Sequence, residues 1–170
     1  PTVGTTIFTV MSQMANETGA INLSQGFPDF EPPAVLLDMV EKYLKSGHNQ
    51  YPPMMGIAYL REQIAAKMQK SYAVEVDPDV EITVTSGATE ALFVAIQTVV
   101  RSGDEVIVFD PAYDSYEPSV TLAGGKTIHV PLSSPDFQID FDRLESAISS
   151  KTRLIIVNSP HNPSGSVFSR

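Results

Sequence analysis

The stretch Leu154-Ile155-Ile156-Val157-Asn158-Ser159-Pro160-His161-Asn162-Pro163-Ser164-Gly165 joins an apolar run to a polar loop. The four apolar residues predict a buried strand, and the prolines, asparagine and glycine of the loop follow its carboxyl end. In open α/β sheets, ligands bind beyond the carboxyl ends of the strands. The sequence therefore predicts a site at this loop.

The same alternation of short apolar runs and helical stretches extends back to residue 81. We predict strands over 82–85, 106–109, 127–130 and 154–157, and helices over 88–101, 115–122 and 141–148. Gly103, just past the first of these helices, is a natural position for a left-handed cap. This succession is typical of βαβ crossovers, so the predicted fold class is α/β, with a mostly parallel sheet and flanking helices.

The first eighty residues have a different pattern. We predict a short amphipathic helix ended by Gly19, a helix over 34–44 and another from near Ile57. The first helix has a methionine-containing stripe that includes Met11 and Met14, and we expect that stripe to pack in the core. Two proline pairs, at 32–33 and 52–53, separate these helices.

Composition excludes several classes of function. The net charge of −9, without basic runs, argues against nucleic-acid or anionic-membrane partners. The absence of cysteine excludes disulfides, thiolate zinc sites and a cysteine nucleophile. No apolar segment approaches the ~20 residues of a membrane span, and no signal-peptide pattern is present. We therefore expect a cytoplasmic protein.

The segment Thr85-Ser86-Gly87-Ala88-Thr89-Glu90 turns from a predicted strand into a helix through glycine. The unsatisfied N–H groups of a first helical turn, together with the helix dipole, can hold a phosphate. The alternative is an ordinary helix cap, with Glu90 in the first turn. Taken alone, this segment favours the cap.

Several motifs, in order along the chain, favour phosphate binding over an ordinary helix cap for this segment. They are Leu-Ser-Gln-Gly-Phe-Pro-Asp-Phe at 23–30, Asn-Gln-Tyr at 49–51, Gly-x-x-x-Leu-Arg at 56–61, Ser-Gly-Ala-Thr-Glu at 86–90, Gly-Asp-Glu-Val at 103–106, Pro-x-Tyr at 111–113 and Asn-Pro-Ser-Gly at 162–165. Together they resemble the class I/II, fold-type I aminotransferases that depend on pyridoxal phosphate. The motifs at 23–30 and 49–51 resemble those of the subgroup of methionine aminotransferase and the kynurenine or glutamine transaminases. Ser164 stands where the family motif has threonine.

The resemblance implies that pyridoxal 5′-phosphate is the cofactor. Gly87, Ala88 and Thr89 would hold its phosphate, Tyr113 would stack on its ring, and Asn162 would donate to the ring oxygen. Each assignment has a plain alternative. Tyr113 could be an ordinary strand-end aromatic, with Tyr116 able to serve equally well, and Asn162 could cap a turn.

The resemblance also implies roles toward the substrate and a second subunit. Gly26 would let the substrate carboxylate reach a backbone N–H, and Asn162 would help to hold that carboxylate. The Asn162–Pro163 bond is expected to be cis. Tyr51 would reach the phosphate bound by the neighbouring subunit, which implies a homodimer; its alternative is a packed loop anchor.

The histidines do not have the spacing of metal ligands. His48 is isolated, His129 falls in a predicted strand and is expected to be structural, and His161 is expected to order the loop before Asn162. No metal site is predicted. A nucleotide-binding Rossmann fold is disfavoured because no Gly-x-Gly-x-x-Gly follows a strand.

The family's cofactor-binding lysine, ring-nitrogen carboxylate and substrate-binding arginine all follow the Asn-Pro loop. Ser149-Ser150-Lys151-Thr152 precedes it, so Lys151 is expected to be a solvated residue at the far end of the strand. No catalytic residue is therefore assigned, and we expect the chain alone to be inactive.

The family's domain plan would make 1–30 an arm and small-domain segment, and 31–170 the first part of the large, cofactor-binding domain. We favour a piece of a longer aminotransferase that acts on methionine or an aromatic amino acid and a 2-oxo acid. The alternatives are a fragment paired with a second polypeptide, a non-catalytic phosphate-binding or dimerisation module, and a C–S β-lyase of the same family.

Overall fold

The computed structural model describes residues 4–26 and 28–168. These residues divide into two compact units: one contains the residues up to Val10 together with those from Ser86 onward, and the other is Met11–Thr85. The predicted domain boundary after residue 30 stays a prediction. Within the described ranges, no helix is both long and apolar enough to cross a membrane.

The unit that begins at Ser86 is built on three parallel strands. In chain order the elements are α4 (Gly87–Val99), β1 (Glu105–Asp110), α5 (Tyr116–Leu122), β2 (Lys126–Pro131), α6 (Phe141–Ala147) and β3 (Thr152–Ile155). The strand order is β2-β1-β3, and both pairings are parallel. The predicted α/β class, with helices connecting parallel strands, is confirmed.

β1 is the centre of this unit because it is buried on both faces. Val106 and Val108 pack against Ile96 of α4, against Val100 just after that helix, and against α5. The alternate residues, Ile107 and Phe109, pack on the opposite face with Val130 and Leu132, and α6 borders that cluster. Successive side chains of a strand point to opposite faces, so an unbroken apolar run is what a doubly covered strand requires.

At the turn from α5 to β2, the backbone packs closely against neighbouring side chains. Gly124 has φ +78°, and a Cβ on Gly125 would lie 2.8 Å from Val100 Cγ1 and 3.1 Å from Val120 Cγ1. The two glycines thus form the tight turn from α5 to β2.

Helix α1 (Ile7–Thr18) begins in the first unit and continues past Val10 into the other unit, which also contains α2 (Ala34–Lys45) and α3 (Ala58–Tyr72). The predicted end of α1 at Gly19 is confirmed, since Gly19 has φ +65°. Arg61 of α3 is buried: it donates to Gly56 O at 3.2 Å, pairs with Asp79 at 3.0 Å and also bonds Pro78 O. It therefore ties the start of α3 to the turn at Pro78.

Three predictions were wrong. Residues 82–85 form no strand; Val84 N donates to Met55 O, and one such bond is not the ladder that a strand requires. The α1 stripe is not core, since Met11 is 38% and Met14 50% exposed. Gly103 does not cap α4: the helix ends at Val99 with Val100 as its C-cap, and Gly103, with φ +89°, lies in the following turn, where the Asp104 carboxylate accepts from Arg101 N.

Candidate cofactor site

A cleft of about 620 Å³ lies where α4 begins and where β1 and β3 end. Three segments contribute to its wall: the first turns of α4, the chain from the end of β1 into α5, and the chain after β3. The lining residues are Ala88, Ala91, Leu92, Ala95, Tyr113, Tyr116, Ile156, Val157, Asn158 and Asn162. The predicted position of a site, beyond the carboxyl ends of parallel strands, coincides with this cleft.

The apolar face of α4 has two parts. Ile96 and Val100, near its end, are buried against β1, whereas Ala88, Ala91 and Ala95 line the cleft. Alanine keeps the helix intact and fills little volume beside it. Small side chains on this part of α4 therefore leave space for a ligand.

The start of α4 combines a helix cap with an open approach. Gly87 has φ +80°, and a Cβ built on it would have no atom within 4 Å. The Glu90 carboxylate accepts a hydrogen bond from Ser86 N, so the capping interpretation also holds. The N–H groups of a first helical turn have no acceptor within the helix, and they lie at the positive end of its dipole. An anion can approach this end of α4 without a steric obstacle at Gly87.

The opposite end of α4 is held by two cations. Arg101 Nη1 donates to Gln97 O at 3.1 Å and to Val100 O at 3.0 Å, and Arg153 Nε donates to Val99 O at 2.9 Å. Guanidinium groups at a helix carboxyl end bond the last carbonyls and interact favourably with the dipole. The two arginines thus lie at the carboxyl end of α4, remote from the cleft, and the positive end of the helix dipole lies at the cleft.

Tyr113 and Tyr116 form the aromatic wall of the cleft. Their rings are 5.7 Å apart between centroids, with 70° between their planes, and Tyr116 N donates to Tyr113 O at 3.2 Å. Tyr116 is 8% exposed and belongs to the core cluster. Burial raises the pKa of the Tyr116 hydroxyl, and the neighbouring Tyr113 adds to that rise.

The loop after β3 places Asn162 at the cleft. Its peptide bond to Pro163 is cis, as predicted. His161 is buried, and its Nδ1 lies 2.8 Å from Ser164 Oγ, so its predicted role in ordering this loop is confirmed. β3 ends at Ile155, two residues earlier than the predicted strand, although Ile156 N still donates to Ile107 O at 3.0 Å.

The structure brings Ala88, Tyr113 and Asn162 together at one cavity. Gly87 and Thr89 flank Ala88 in the same turn, but neither lines the cavity. Gly26 and Tyr51 belong to the Met11–Thr85 unit, and their roles stay predictions. Tyr51 is fully exposed, which does not agree with the alternative of a packed loop anchor.

Sequence reasoning missed Asn158 as a cleft residue and treated Tyr116 only as a substitute for Tyr113. A signal for Asn158 was present, because it is the first polar residue after a predicted strand. The signal for Tyr116 was its separation of three residues from Tyr113, a spacing that one turn of the chain can bring together.

The remaining candidates lie elsewhere. His129 on β2 bonds Asp110 at 3.0 Å, in keeping with a structural role. Lys151 is exposed and precedes β3 at its amino end, opposite the cleft, as predicted. Among the described residues, no group of three or more histidine or carboxylate side chains is arranged to hold a metal ion.

Comparison with protein families gives a match to "Aminotransferase class I and II" over residues 18–170. The chain is 51% identical to methionine aminotransferase of Escherichia coli, over 99% of this chain and 44% of that protein. It is 46% identical to a probable N-succinyldiaminopimelate aminotransferase of Mycobacterium tuberculosis, over 97% of this chain and 42% of that protein. It is 38% identical to human kynurenine–oxoglutarate transaminase 3, over 94% of this chain and 37% of that protein.

Comparison of the fold with solved structures also finds an aminotransferase. The crystal structure of YbdL from Escherichia coli, reported as a methionine aminotransferase, superimposes with a TM-score of 0.92 at 50% identity, covering 100% of this chain and 44% of that one. The chain therefore spans less than half the length of the relatives it matches.

Proposed function

Because this chain belongs to the class I and II aminotransferase family, we propose that it is the cofactor-holding part of an amino-acid transaminase. The observation that carries the proposal is the shared cleft. Ala88, Tyr113 and Asn162 come from three segments distant in sequence and line one cavity. They are among the residues that the motifs associate with the phosphate, the ring face and the ring oxygen of pyridoxal phosphate.

The residues present fit this cofactor, on which members of the family generally depend. The open backbone at Gly87 and the first turn of α4 suit a phosphate group. Tyr113 offers an aromatic face for a planar ring, and Asn162 offers an amide donor for an anionic ring oxygen. The alanine side chains of α4 leave the volume that such a ring occupies.

When bound, pyridoxal phosphate supplies a ring that withdraws electrons from the substrate Cα. The described residues would act by binding and orientation. The first turn of α4 would bind the phosphate, Tyr113 would fix the ring plane, and the Asn162 amide would donate a proton in a hydrogen bond to the ring oxygen. Gly26 and Asn162 would hold the substrate carboxylate, and Tyr51 would reach the phosphate of the neighbouring subunit in a homodimer.

Proton transfer at the substrate Cα requires a base that the cleft does not contain. No lysine is among its lining residues, and Lys126 and Lys151 lie at the amino ends of β2 and β3. A lysine, a carboxylate for the ring nitrogen and an arginine for the substrate carboxylate would come from outside these residues. We expect the 170-residue chain by itself to be inactive.

The amino donor is proposed from relatedness alone. The relative with 51% identity is a methionine aminotransferase, and we favour methionine, or an aromatic amino acid, with a 2-oxo acid as acceptor. The names of the other relatives include N-succinyldiaminopimelate and kynurenine. Family membership therefore does not by itself fix the side chain that is accepted.

The test is an intact mass of the protein in its natural form after incubation with pyridoxal phosphate and reduction with borohydride. The proposal predicts one pyridoxyl group per protein, on a lysine outside the 170 residues. Pyridoxal without the phosphate is the control, and we expect it to label poorly. A protein of 18.5 kDa that binds the cofactor reversibly but is not labelled would support the alternative of a non-catalytic binding fragment. No binding at all would contradict both.

A second measurement separates transamination from the lyase alternative. The natural protein is supplied with a 2-oxo acid and with either methionine or S-methylcysteine, whose sulfur is on Cβ as a β-lyase requires, and both the new amino acid and any released thiol are quantified. The proposal predicts the new amino acid in equal amount to the methionine consumed. Thiol release without it would favour a C–S lyase.

A further inference from the structure

Asn158 is a polar cleft residue to which the proposed function gives no role. It lies at the end of the run that β3 begins, and it lines the same cavity as Asn162. Its Oδ1 accepts the backbone N–H of Asn162 at 2.7 Å. The side chain of one asparagine therefore fixes the backbone of the other, four residues further along the chain.

Asn158 is itself held by the sheet. Ile156, two residues earlier, donates its N–H to Ile107 O of β1 at 3.0 Å. Ile107 is fully buried in the cluster that includes Phe109 and Val130. The bond from Asn162 to Asn158 thus connects an exposed loop residue, within a few residues, to the buried core around β1.

The rest of the loop is closed by different bonds. His161 N donates to Ser166 O at 2.7 Å, and Gly165 N donates to His161 O at 2.6 Å. Phe168 N donates to Ser159 Oγ at 3.1 Å. These bonds fix the two ends of the loop to each other. Among the hydrogen bonds of the described residues, the one from Asn162 N to Asn158 is the bond that acts on Asn162 itself.

We propose that Asn158 is a positioning residue, which aims the Asn162 side chain into the cleft by holding its backbone. This inference rests on the proposed function, because it takes Asn162 as the group that meets the ligand. Asn158 would act only through Asn162. Its removal should therefore have no effect on ligand binding once the Asn162 side chain is gone.

A double-mutant cycle in the natural protein tests this dependence. The variants are Asn158→Leu, which keeps the branching at Cγ and removes the acceptor, Asn162→Ala, and the combination. We expect Asn158→Leu to weaken pyridoxal phosphate binding about three- to tenfold, the equivalent of one lost hydrogen bond. In the Asn162→Ala background the same change should have no further effect. Additive losses would show that Asn158 contacts the ligand by itself and would overturn the inference.

Amide hydrogen exchange without cofactor gives an independent readout. Asn158→Leu should speed exchange at Asn162 about tenfold, and Asn158→Asp, which keeps an oxygen acceptor, should restore protection. Asp140→Ala is the matched control, because Asp140 Oδ1 accepts Arg143 N at 3.1 Å at the start of α6, outside this cleft. It should change neither property.

The two readouts keep the inference distinct from the proposed function. If the unaltered protein fails to bind pyridoxal phosphate, the proposed function is wrong, and the exchange comparison alone decides whether Asn158 holds Asn162. If the protein binds the cofactor and Asn158→Leu changes neither affinity nor exchange, the inference is wrong and the proposed function stands.

Discussion

The ring of Tyr116 meets the ring of Tyr113 edge to face, with 5.7 Å between centroids and 70° between planes. Both tyrosines line the cleft; Tyr116 is also a buried residue of the core cluster, and Tyr113 packs against that cluster. Edge-to-face geometry is a preferred arrangement of aromatic rings because the positive edge of one faces the negative face of the other. The contact with the buried Tyr116 ring thus holds the plane of the Tyr113 ring.

The first prediction concerns this contact. Tyr116→Leu should lower the free energy of unfolding by about 1 kcal/mol through loss of the ring contact alone, and should weaken binding of pyridoxal phosphate. Tyr116→Phe keeps the ring and should bind the cofactor as the unaltered protein does. Urea unfolding and a cofactor titration measure the two effects. Equal binding by the leucine and phenylalanine variants would contradict this role of the ring.

The second prediction concerns alkaline pH. Burial first, and Tyr113 second, raise the pKa of Tyr116 above its ordinary value. In the unfolded chain the hydroxyl loses its proton near pH ~10, while the folded protein still holds it, so stability falls as pH rises above that value. Below pH ~10, Tyr116 keeps its proton in both the folded and the unfolded chain, so it adds no pH dependence to the free energy of unfolding.

Unfolding measured between about pH 8 and 11.5 should therefore decline less steeply for Tyr116→Phe than for the unaltered protein. The absorbance of ionised tyrosine should also show one group that titrates late in the folded state and is missing in the variant. Parallel curves for the two proteins would count against a raised pKa.

The third prediction compares two glycines. Gly87 and Gly103 have φ of +80° and +89°, and neither has an atom within 4 Å of an added Cβ. Alanine at either position should cost about 1–2 kcal/mol of stability, since both require a left-handed backbone. Only Gly87→Ala should also weaken binding of pyridoxal phosphate, by about tenfold, because only that Cβ would stand at the start of α4. Equal affinities in the two variants would place the phosphate elsewhere.

The fourth prediction concerns the lysine that the sequence offers near a Ser-x-x-Lys pattern. Lys151 is exposed at the amino end of β3. Lys151→Ala should leave labelling by pyridoxal phosphate and borohydride unchanged in the natural protein, and peptide mapping should find the label elsewhere. Loss of the label would move the active site to the other end of the sheet.

Much of the unit around β1 could be predicted from sequence because its signals are local and redundant. An unbroken apolar run marks β1, and the helices beside it have their own periodicity and turn residues. Tyr113 and Asn162 follow strands, and the ends of parallel strands meet at one edge, so their proximity to Ala88 follows from topology.

Other features depend on contacts that the local sequence does not encode. Residues 82–85 have the composition of a strand, but a strand also needs a neighbour, and there the described backbone offers the carbonyl of Met55. The α1 stripe is periodic like a core helix, yet Met14 is half exposed. Asn158 was missed because its partner, the backbone N–H of Asn162, is set by the folded loop.

The cleft contains no charged side chain among its lining residues, although the chain has a net charge of −9. A phosphate-bearing ligand would therefore be repelled at long range and attracted only near the end of α4, where the helix dipole acts over about one turn. Added salt screens the long-range repulsion more effectively than the short-range attraction. Association should consequently be slow at low ionic strength and become faster as salt is added, the reverse of the electrostatic steering seen when an anion enters a cationic site.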